Sequence, residues 1–191
     1  MVKRNYKKII AFSLLAIFLI SLITLLFFLS PEEIVNKIGV HNAYILLFIV
    51  SFFGGFSAGG SISFISLLIT FTLGGMNPIY LGLVAGTSLA IGDMIMFFVG
   101  SKGRELIKGK WDKRINKVAK VFEKRKWLKK LTPIIAYFYI GFVPLPNDIL
   151  ILFLAAIKYP AKRMNGVIIL GDLTFALMIT ILASRGIMLF T

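Results

Sequence analysis

Residues 79–100 read IYLGLVAGTSLAIGDMIMFFVG, an apolar run with one charged side chain, Asp93. A helix needs about 18 apolar residues or more to cross a bilayer, and this run is long enough. Gly82 and Gly86 lie about one helical turn apart, so one face of the helix lacks bulky side chains and favours close packing against a second helix. The sequence therefore predicts a transmembrane helix that carries a carboxyl group among apolar residues.

The composition of the whole chain is also typical of a membrane protein. Of its 191 residues, 58% are hydrophobic and 16% are charged, whereas soluble domains are nearer half apolar and a quarter charged. This excludes a disordered chain and most soluble enzymes. Cysteine is absent and His41 is the single histidine, which excludes a disulfide framework, a thiolate metal site and a histidine-rich metal site. We expect neither a metal nor a cofactor.

The net charge of +14 is concentrated in segments between apolar runs. Residues 1–8 contain four Lys and Arg, and residues 101–130 contain thirteen against three acidic residues. Cytoplasmic loops of membrane proteins carry such an excess of Lys and Arg. We therefore expect an integral protein of the plasma membrane with a cytoplasmic N-terminus, and no nucleic-acid partner.

Residues 1–42 are predicted to form an N-terminal transmembrane helix and a short external helix. Residues 9–29 lack charge and exceed the about 7–15 apolar residues of a secretory signal, so we expect this helix to be retained. Residues 30–33, SPEE, begin the short helix with a capping box. His41 is expected in a loop at the membrane interface.

A glycine-rich break divides the apolar run over residues 43–76. Glycines are unfavourable inside a helix. The residues expected in this break are Gly54, Gly55, Gly59, Gly60 and Ser61. One kinked helix and two short complete crossings are alternatives, but we favour a re-entrant hairpin, because broken helices are tolerated in membranes where protein surrounds them.

A second break divides the apolar run over residues 131–157. Pro144 and Pro146 end the first half-helix, because proline cannot continue a helix. Asn147 or Asp148 can cap the second half-helix. Basic residues flank the run on both sides, which places both of its ends in the cytoplasm and predicts a second re-entrant hairpin.

The order of hairpin and then span occurs twice over residues 43–191, with the hairpins entering from opposite sides. The spans are residues 79–100 and residues 164–185. Both contain a Gly-Asp pair, at Gly92-Asp93 and Gly171-Asp172. We therefore predict an all-α polytopic membrane protein built on an inverted repeat of a re-entrant hairpin plus a transmembrane helix, an architecture typical of transporters.

Three carboxyl groups are predicted to lie near the middle of the bilayer. At 1.5 Å per residue from the basic flanks, Asp93, Asp148 and Asp172 lie roughly 12–15 Å from the inner face of a core ~30 Å thick. A carboxylate at that depth needs a partner, water or a proton. Asp148 is interpreted mainly as a helix cap. Asp93 and Asp172, with Asp148 and Asn147, are the candidates for transport or proton coupling, and a purely structural role as protonated donors is the alternative.

Residues 101–130 are predicted to form a basic amphipathic helix on the cytoplasmic membrane surface. Trp111, Ile115, Val118 and Phe122 recur at helical spacing and form its apolar stripe. The expected partners are membrane lipids, and the cations of this helix can gather anionic lipid head groups.

This combination of features resembles the DedA family, also called the VTT or SNARE-associated membrane proteins. The resemblance covers residues 44–184, and its clearest elements are residues 86–103 and residues 142–156, with the PLPND turn at residues 144–148. It implies two opposed re-entrant hairpins. It also implies translocation of lipids, including flipping of polyprenyl-phosphate carriers or scrambling of phospholipids, with proton coupling in some members.

The chain departs from the family pattern at charged positions. Better-known members carry an acidic residue in the first hairpin, where residues 54–63 contain none, and arginines at the positions of Gly141 and Asn147. Translocation of a lipid or polyprenyl-phosphate lipid is the expected function. A proton- or cation-coupled carrier of a small solute is the alternative, because the apolar runs hold aspartates but no Lys or Arg. We expect no enzymatic activity.

Overall fold

A computed structural model describes residues 36–37, 39–56, 60–104, 109–144 and 146–190. The predicted N-terminal transmembrane helix, the capping box at residues 30–33 and Gly59 lie outside the described residues. Helices are the only regular elements within these ranges. In chain order they are α1 (Val40–Phe56), α2 (Gly60–Leu73), α3 (Pro78–Gly103), α4 (Lys110–Lys124), α5 (Lys126–Phe142), α6 (Asp148–Ala156) and α7 (Ala161–Phe190).

Two of these helices, α3 and α7, are long and apolar enough to cross a membrane by length and composition. A 26-residue helix such as α3 is about 39 Å long, which exceeds a hydrocarbon core of ~30 Å. Asn77 caps α3, since its Oδ1 accepts hydrogen bonds from the backbone N–H of Ile79 at 2.9 Å and of Tyr80 at 3.2 Å. The helices predicted over residues 79–100 and 164–185 are therefore confirmed.

The two long helices form the centre of the fold, and glycines of α3 let them approach closely. A Cβ atom on Gly82 would lie 3.0 Å from the Cα of Leu177, and one on Gly86 would lie 2.8 Å from the Cα of Leu173. Because the later glycine of α3 meets the earlier leucine of α7, the two helices run antiparallel. The prediction that Gly82 and Gly86 form a packing face is confirmed.

Four of the shorter helices pack on one or both of the long helices, and the fifth, α4, packs on α5. Helix α1 packs on α3 and on α2, and α5 packs on α7. Helix α2 also contacts α7, and α6 contacts α3. Two apolar cores result, one around Phe64 and Phe71 of α2 and the other around Ile151 of α6 and Met164 of α7. Asp93 and Asp172 lie close to the boundary between these two cores.

The first predicted break is wrong for four of its residues. Gly54 and Gly55 lie in the last turn of α1, and Gly60 and Ser61 begin α2. The glycines of α1 are compatible with a helix because its packing on α3 offsets their poor helix propensity. His41 also lies in α1 with an exposed side chain, not in a loop, because the helix begins directly after Gly39, whose φ is +81°. The expected boundary at residue 42 therefore falls inside α1.

The second predicted break is confirmed at its prolines. Helix α5 ends at Phe142 and α6 begins at Asp148, with Pro144 and Pro146 between them. Gly141 lies inside α5. That either helix pair returns to the side from which it entered stays a prediction.

The basic segment is not one helix over residues 101–130, as the sequence predicts. Helix α3 continues to Gly103, α4 covers Lys110–Lys124, and α5 begins at Lys126. Arg125 separates the last two helices with an extended backbone, φ −95° and ψ 97°. This break lets α5 follow α7 while α4 takes a separate course.

Candidate functional site: a buried carboxyl cluster

Four polar side chains meet between the long helices and the start of α6. We call Asp93 of α3, Asp172 of α7, and Asn147 and Asp148 at the start of α6 the carboxyl cluster. The exposed fractions of Asp93, Asp148 and Asp172 are 0%, 3% and 0%. The structure thus brings together all four residues that the sequence selects as transport candidates.

Asn147 joins the two long helices. Its Nδ2 donates a hydrogen bond to Oδ2 of Asp93 at 2.6 Å and a longer one to Oδ1 of Asp172 at 3.4 Å. The carboxyl groups of Asp93 and Asp172 therefore lie on either side of the same amide nitrogen. An amide carries two N–H donors and no charge, so it can satisfy both carboxyl groups without forming an ion pair.

The prediction that Asn147 or Asp148 caps α6 through its side chain is wrong. Asn147 occupies the N-cap position but its side chain makes no capping hydrogen bond, because its backbone is helical, with φ −74° and ψ −14°, and its amide is directed at Asp93 and Asp172. Asp148 is the first residue of α6, and neither of its carboxyl oxygens has a hydrogen-bond partner among the described residues. Asp148 directly follows Asn147, whose amide binds Asp93, and its helix α6 packs on α3.

The backbone of α1 covers Asp93. A Cβ atom on Gly55 would lie 2.9 Å from the backbone nitrogen of Asp93, 3.0 Å from its Oδ1 and in overlap with the carbonyl oxygen of Leu89. A Cβ atom on Gly92 would overlap the carbonyl oxygen of Phe52. Gly55 is thus a contact residue of the site and not part of a helix break. The signal in the sequence was the Gly54-Gly55 pair, which the sequence analysis assigned to the break.

Helix α5 covers Asp172 in a similar way. A Cβ atom on Gly171 would lie 2.6 Å from Cγ2 of Ile140 and 3.6 Å from the backbone nitrogen of Gly141. The hydroxyl groups of Tyr137 and Thr174 lie 3.1 Å apart and add a polar contact between α5 and α7. Each aspartate therefore follows a glycine against which another helix packs.

No cationic side chain neutralises the carboxyl cluster within the part of the chain that the structure describes. The ion pair found there joins Arg104 and Asp112, at the C-terminal end of α3. Oδ1 of Asp93 and Oδ2 of Asp172 have no hydrogen-bond partner among the described residues. Burying an ionised carboxylate without a partner is costly, so the cluster is suited to bind a proton or a small cation. No group of three or more ligating side chains in the described residues is arranged to hold a metal ion.

A second polar cluster, which the sequence analysis missed, links α3 to α4. We call Arg104, Asp112 and Asn116 the Arg104 cluster. Nη2 of Arg104 donates to Oδ1 of Asp112 at 2.6 Å and to Oδ1 of Asn116 at 2.8 Å, and Nδ2 of Asn116 donates to Oδ2 of Asp112 at 3.1 Å. Asp112 and Asn116 are four residues apart on one helix face, which is the signal that could have identified them.

The apolar stripe of the basic segment contacts α6. The rings of Phe122 and Phe153 pack edge to face with their centroids 6.0 Å apart. Ile115 is half-buried, while Val118 is 40% exposed. The side chain of Trp111 is outside the description. Contact of Trp111, Ile115 and Phe122 with the membrane surface stays a prediction.

Comparisons of the chain with protein-family models, with curated proteins and with solved structures give no match.

Proposed function

We propose that this chain is a polytopic membrane transporter that moves a lipid or polyprenyl-phosphate lipid between leaflets, and that Asp93 and Asp172 carry the coupling proton. One observation supports this most: two fully buried carboxyl groups, from the two helices long enough to span a bilayer, share one neutral amide and no cation among the described residues. Intramembrane ionisable groups of this kind mark substrate and proton pathways. The resemblance to the DedA family agrees with this function.

The surface of the long helices supports their place in a membrane. Large apolar side chains are exposed on both, including Phe98 at 62% on α3 and Leu182 at 62% on α7. Such exposure along whole helices is unfavourable in water and favourable against lipid. The basic segment then lies on the cytoplasmic side, as the excess of Lys and Arg favours.

The helix contacts support an inverted repeat. Helix α1 packs on α3 where Gly55 meets Gly92, and α5 packs on α7 where Gly141 meets Gly171. The second helix of each pair contacts the opposite long helix, α2 with α7 and α6 with α3. In this arrangement α1 with α2, and α5 with α6, are the two re-entrant hairpins, and the carboxyl cluster lies where the repeats meet.

The coupling step is a change in proton occupancy. One proton between Asp93 and Asp172 forms a hydrogen bond from one carboxyl group to the other, while Asn147 donates to both. When the cluster opens to water, the proton leaves to a water molecule and both groups become carboxylates. Two adjacent carboxylates repel each other and favour hydration, so loss of the proton favours the open arrangement. Rebinding a proton restores the closed one.

The second candidate is a cation-coupled carrier of a small solute. The unpartnered oxygens of Asp148 favour it, because a small cation could take the place of the proton beside Asp93. The two candidates share the site and differ in what crosses the membrane.

The test is leaflet exchange of fluorescent phospholipid and polyprenyl phosphate in vesicles containing the purified protein. We expect exchange driven by a proton gradient, and loss of this exchange in Asp93→Asn and in Asp172→Asn. The control is Thr180→Val, which removes a buried hydroxyl about 12 Å further along α7 and should keep wild-type exchange. Exchange driven by a sodium gradient alone would favour the cation-coupled candidate. Full proton-driven exchange in both aspartate variants would refute the proton site.

A further inference from the structure

An apolar groove lies between α4 and α6, away from the carboxyl cluster. It encloses about 140 Å³. Its lining residues are Arg114, Ile115, Val118, Phe153, Ala156 and Ile157. Phe153, which lines the groove, also packs edge to face on Phe122, one helical turn beyond Val118 along α4. Val118 and Phe153 are 40% and 41% exposed, so the groove is accessible from outside the protein.

The rotation of α4 decides which side chains border the groove. The Arg104 cluster holds Asp112 and Asn116 against the end of α3. Successive residues of a helix are 100° apart around its axis. The apolar stripe of α4 therefore lies between the face that carries Asp112 and Asn116 and an edge that carries cations. Arg114 is the first residue of that edge, 40° from Val118, and the exposed Lys110 and Lys117 flank it. Lys113 and Lys120 point to the side of α4 opposite the stripe.

We propose that this groove binds one acyl chain of an anionic phospholipid whose phosphate lies against Arg114, with Lys110 and Lys117 beside it. An apolar floor bordered on one side by cations is complementary to a molecule with a hydrocarbon chain and a negative head group. The proposal rests on the membrane location in the proposed function but not on transport.

Native mass spectrometry of the full chain in detergent tests this, with added dioleoyl phosphatidylglycerol or dioleoyl phosphatidylcholine. We expect one retained phosphatidylglycerol and weaker retention of phosphatidylcholine. Arg114→Gln should weaken phosphatidylglycerol binding about fivefold, which is the usual effect of one cation near an anionic head group, and should leave phosphatidylcholine binding unchanged. Ala156→Leu puts a larger apolar side chain into the groove, which leaves less room for an acyl chain, and should weaken retention of both lipids.

Lys120→Gln is the matched control, since it removes the same charge from the opposite side of α4. It should bind phosphatidylglycerol as the wild type does. Equal retention of both lipids by the wild type, or equal losses in Lys120→Gln and Arg114→Gln, would overturn the proposal. Unchanged binding in a folded Ala156→Leu, judged by its thermal unfolding in detergent, would also overturn it. Asp93→Asn should retain phosphatidylglycerol, so failure of the transport proposal would leave this result intact.

Discussion

The Arg104 cluster and the carboxyl cluster both join separate helices through aspartate and asparagine side chains, but in the described residues only the Arg104 cluster contains a cation. Its members form a closed set of three hydrogen bonds, and Asp112 is 37% exposed. In the carboxyl cluster, two aspartates with no exposed surface share one amide, and four carboxyl oxygens lack a hydrogen-bond partner among the described residues.

We propose that this difference separates a structural contact from a functional one. A charge-paired cluster at the end of a helix stabilises the position of α4 and needs no change in protonation. Carboxyl groups buried without a cation destabilise the fold when they are ionised, and the fold keeps them at the contact of its two longest helices. We propose that the protein tolerates this loss of stability because the buried carboxyl groups have a function.

Packing against the carboxyl cluster should give the largest effect on stability. Gly55→Ala places a methyl group against Asp93 and the carbonyl oxygen of Leu89, both fixed in helix α3. We expect it to lower the free energy of unfolding by about 1–3 kcal/mol, as overpacking commonly does. Thermal unfolding in detergent measures this.

Gly166→Ala is the control for that substitution. A Cβ atom on Gly166 meets nothing within 4 Å, so alanine there should stabilise α7 by roughly 0.5–1 kcal/mol. Equal effects of the two alanines would show that α1 does not approach Asp93 closely.

The same substitution, Asp→Asn, should have different effects on stability in the two clusters. Asp112→Asn leaves the buried Arg104 without its carboxylate and should cost about 2 kcal/mol, a usual value for a hydrogen bond to a charged group. Asp93→Asn replaces a buried carboxyl group with a neutral amide and so removes the energetic cost of burying a charge. It should leave the free energy of unfolding unchanged or raise it. Chemical or thermal unfolding of the two variants side by side checks this, and a larger loss in Asp93→Asn would contradict the comparison.

The two asparagines should differ in activity more than in stability. Asn147→Ala and Asn116→Ala each remove an amide from two hydrogen bonds, and each should cost about 1 kcal/mol. Asn147→Ala should also slow lipid exchange, because the carboxyl groups of Asp93 and Asp172 lose the hydrogen-bond donor that they share. Lipid exchange at the wild-type rate in Asn147→Ala would show that the bridge has no part in transport.

The sequence predicts well what depends on composition along the chain. The lengths of the apolar runs predict α3 and α7, the paired prolines predict the end of α5, and the similar distances of Asp93 and Asp172 from the basic flanks predict that they lie at a similar level of the fold. These predictions succeed because the length of an apolar run, the backbone geometry of proline and the distance of a residue from a basic flank can each be determined from one segment of the chain.

The features that the sequence analysis missed depend on contacts between distant segments. Gly55 reads as a helix breaker until the backbone of α3 is placed against it. Asn147 reads as a cap until Asp93 lies within reach of its amide. Arg104 reads as one of many surface cations until α4 turns Asp112 towards it. For Gly55 and Asn147 a partner from a distant segment outweighs the local preference, and for Arg104 the partner comes from the next helix along the chain.

The central claim is that the pair formed by Asp93 and Asp172 holds a proton in the closed protein. Infrared difference spectroscopy of the reconstituted protein at neutral pH tests it directly, because the carbonyl stretch of a protonated carboxyl group is distinct from that of a carboxylate. We predict a protonated carboxyl band in the wild type that shifts in Asp93→Asn and in Asp172→Asn, because the remaining carboxyl group loses the neighbour with which it shares the proton, and that is unchanged in Asp112→Asn. A wild type without this band, or a band unchanged in both aspartate variants, would contradict the claim.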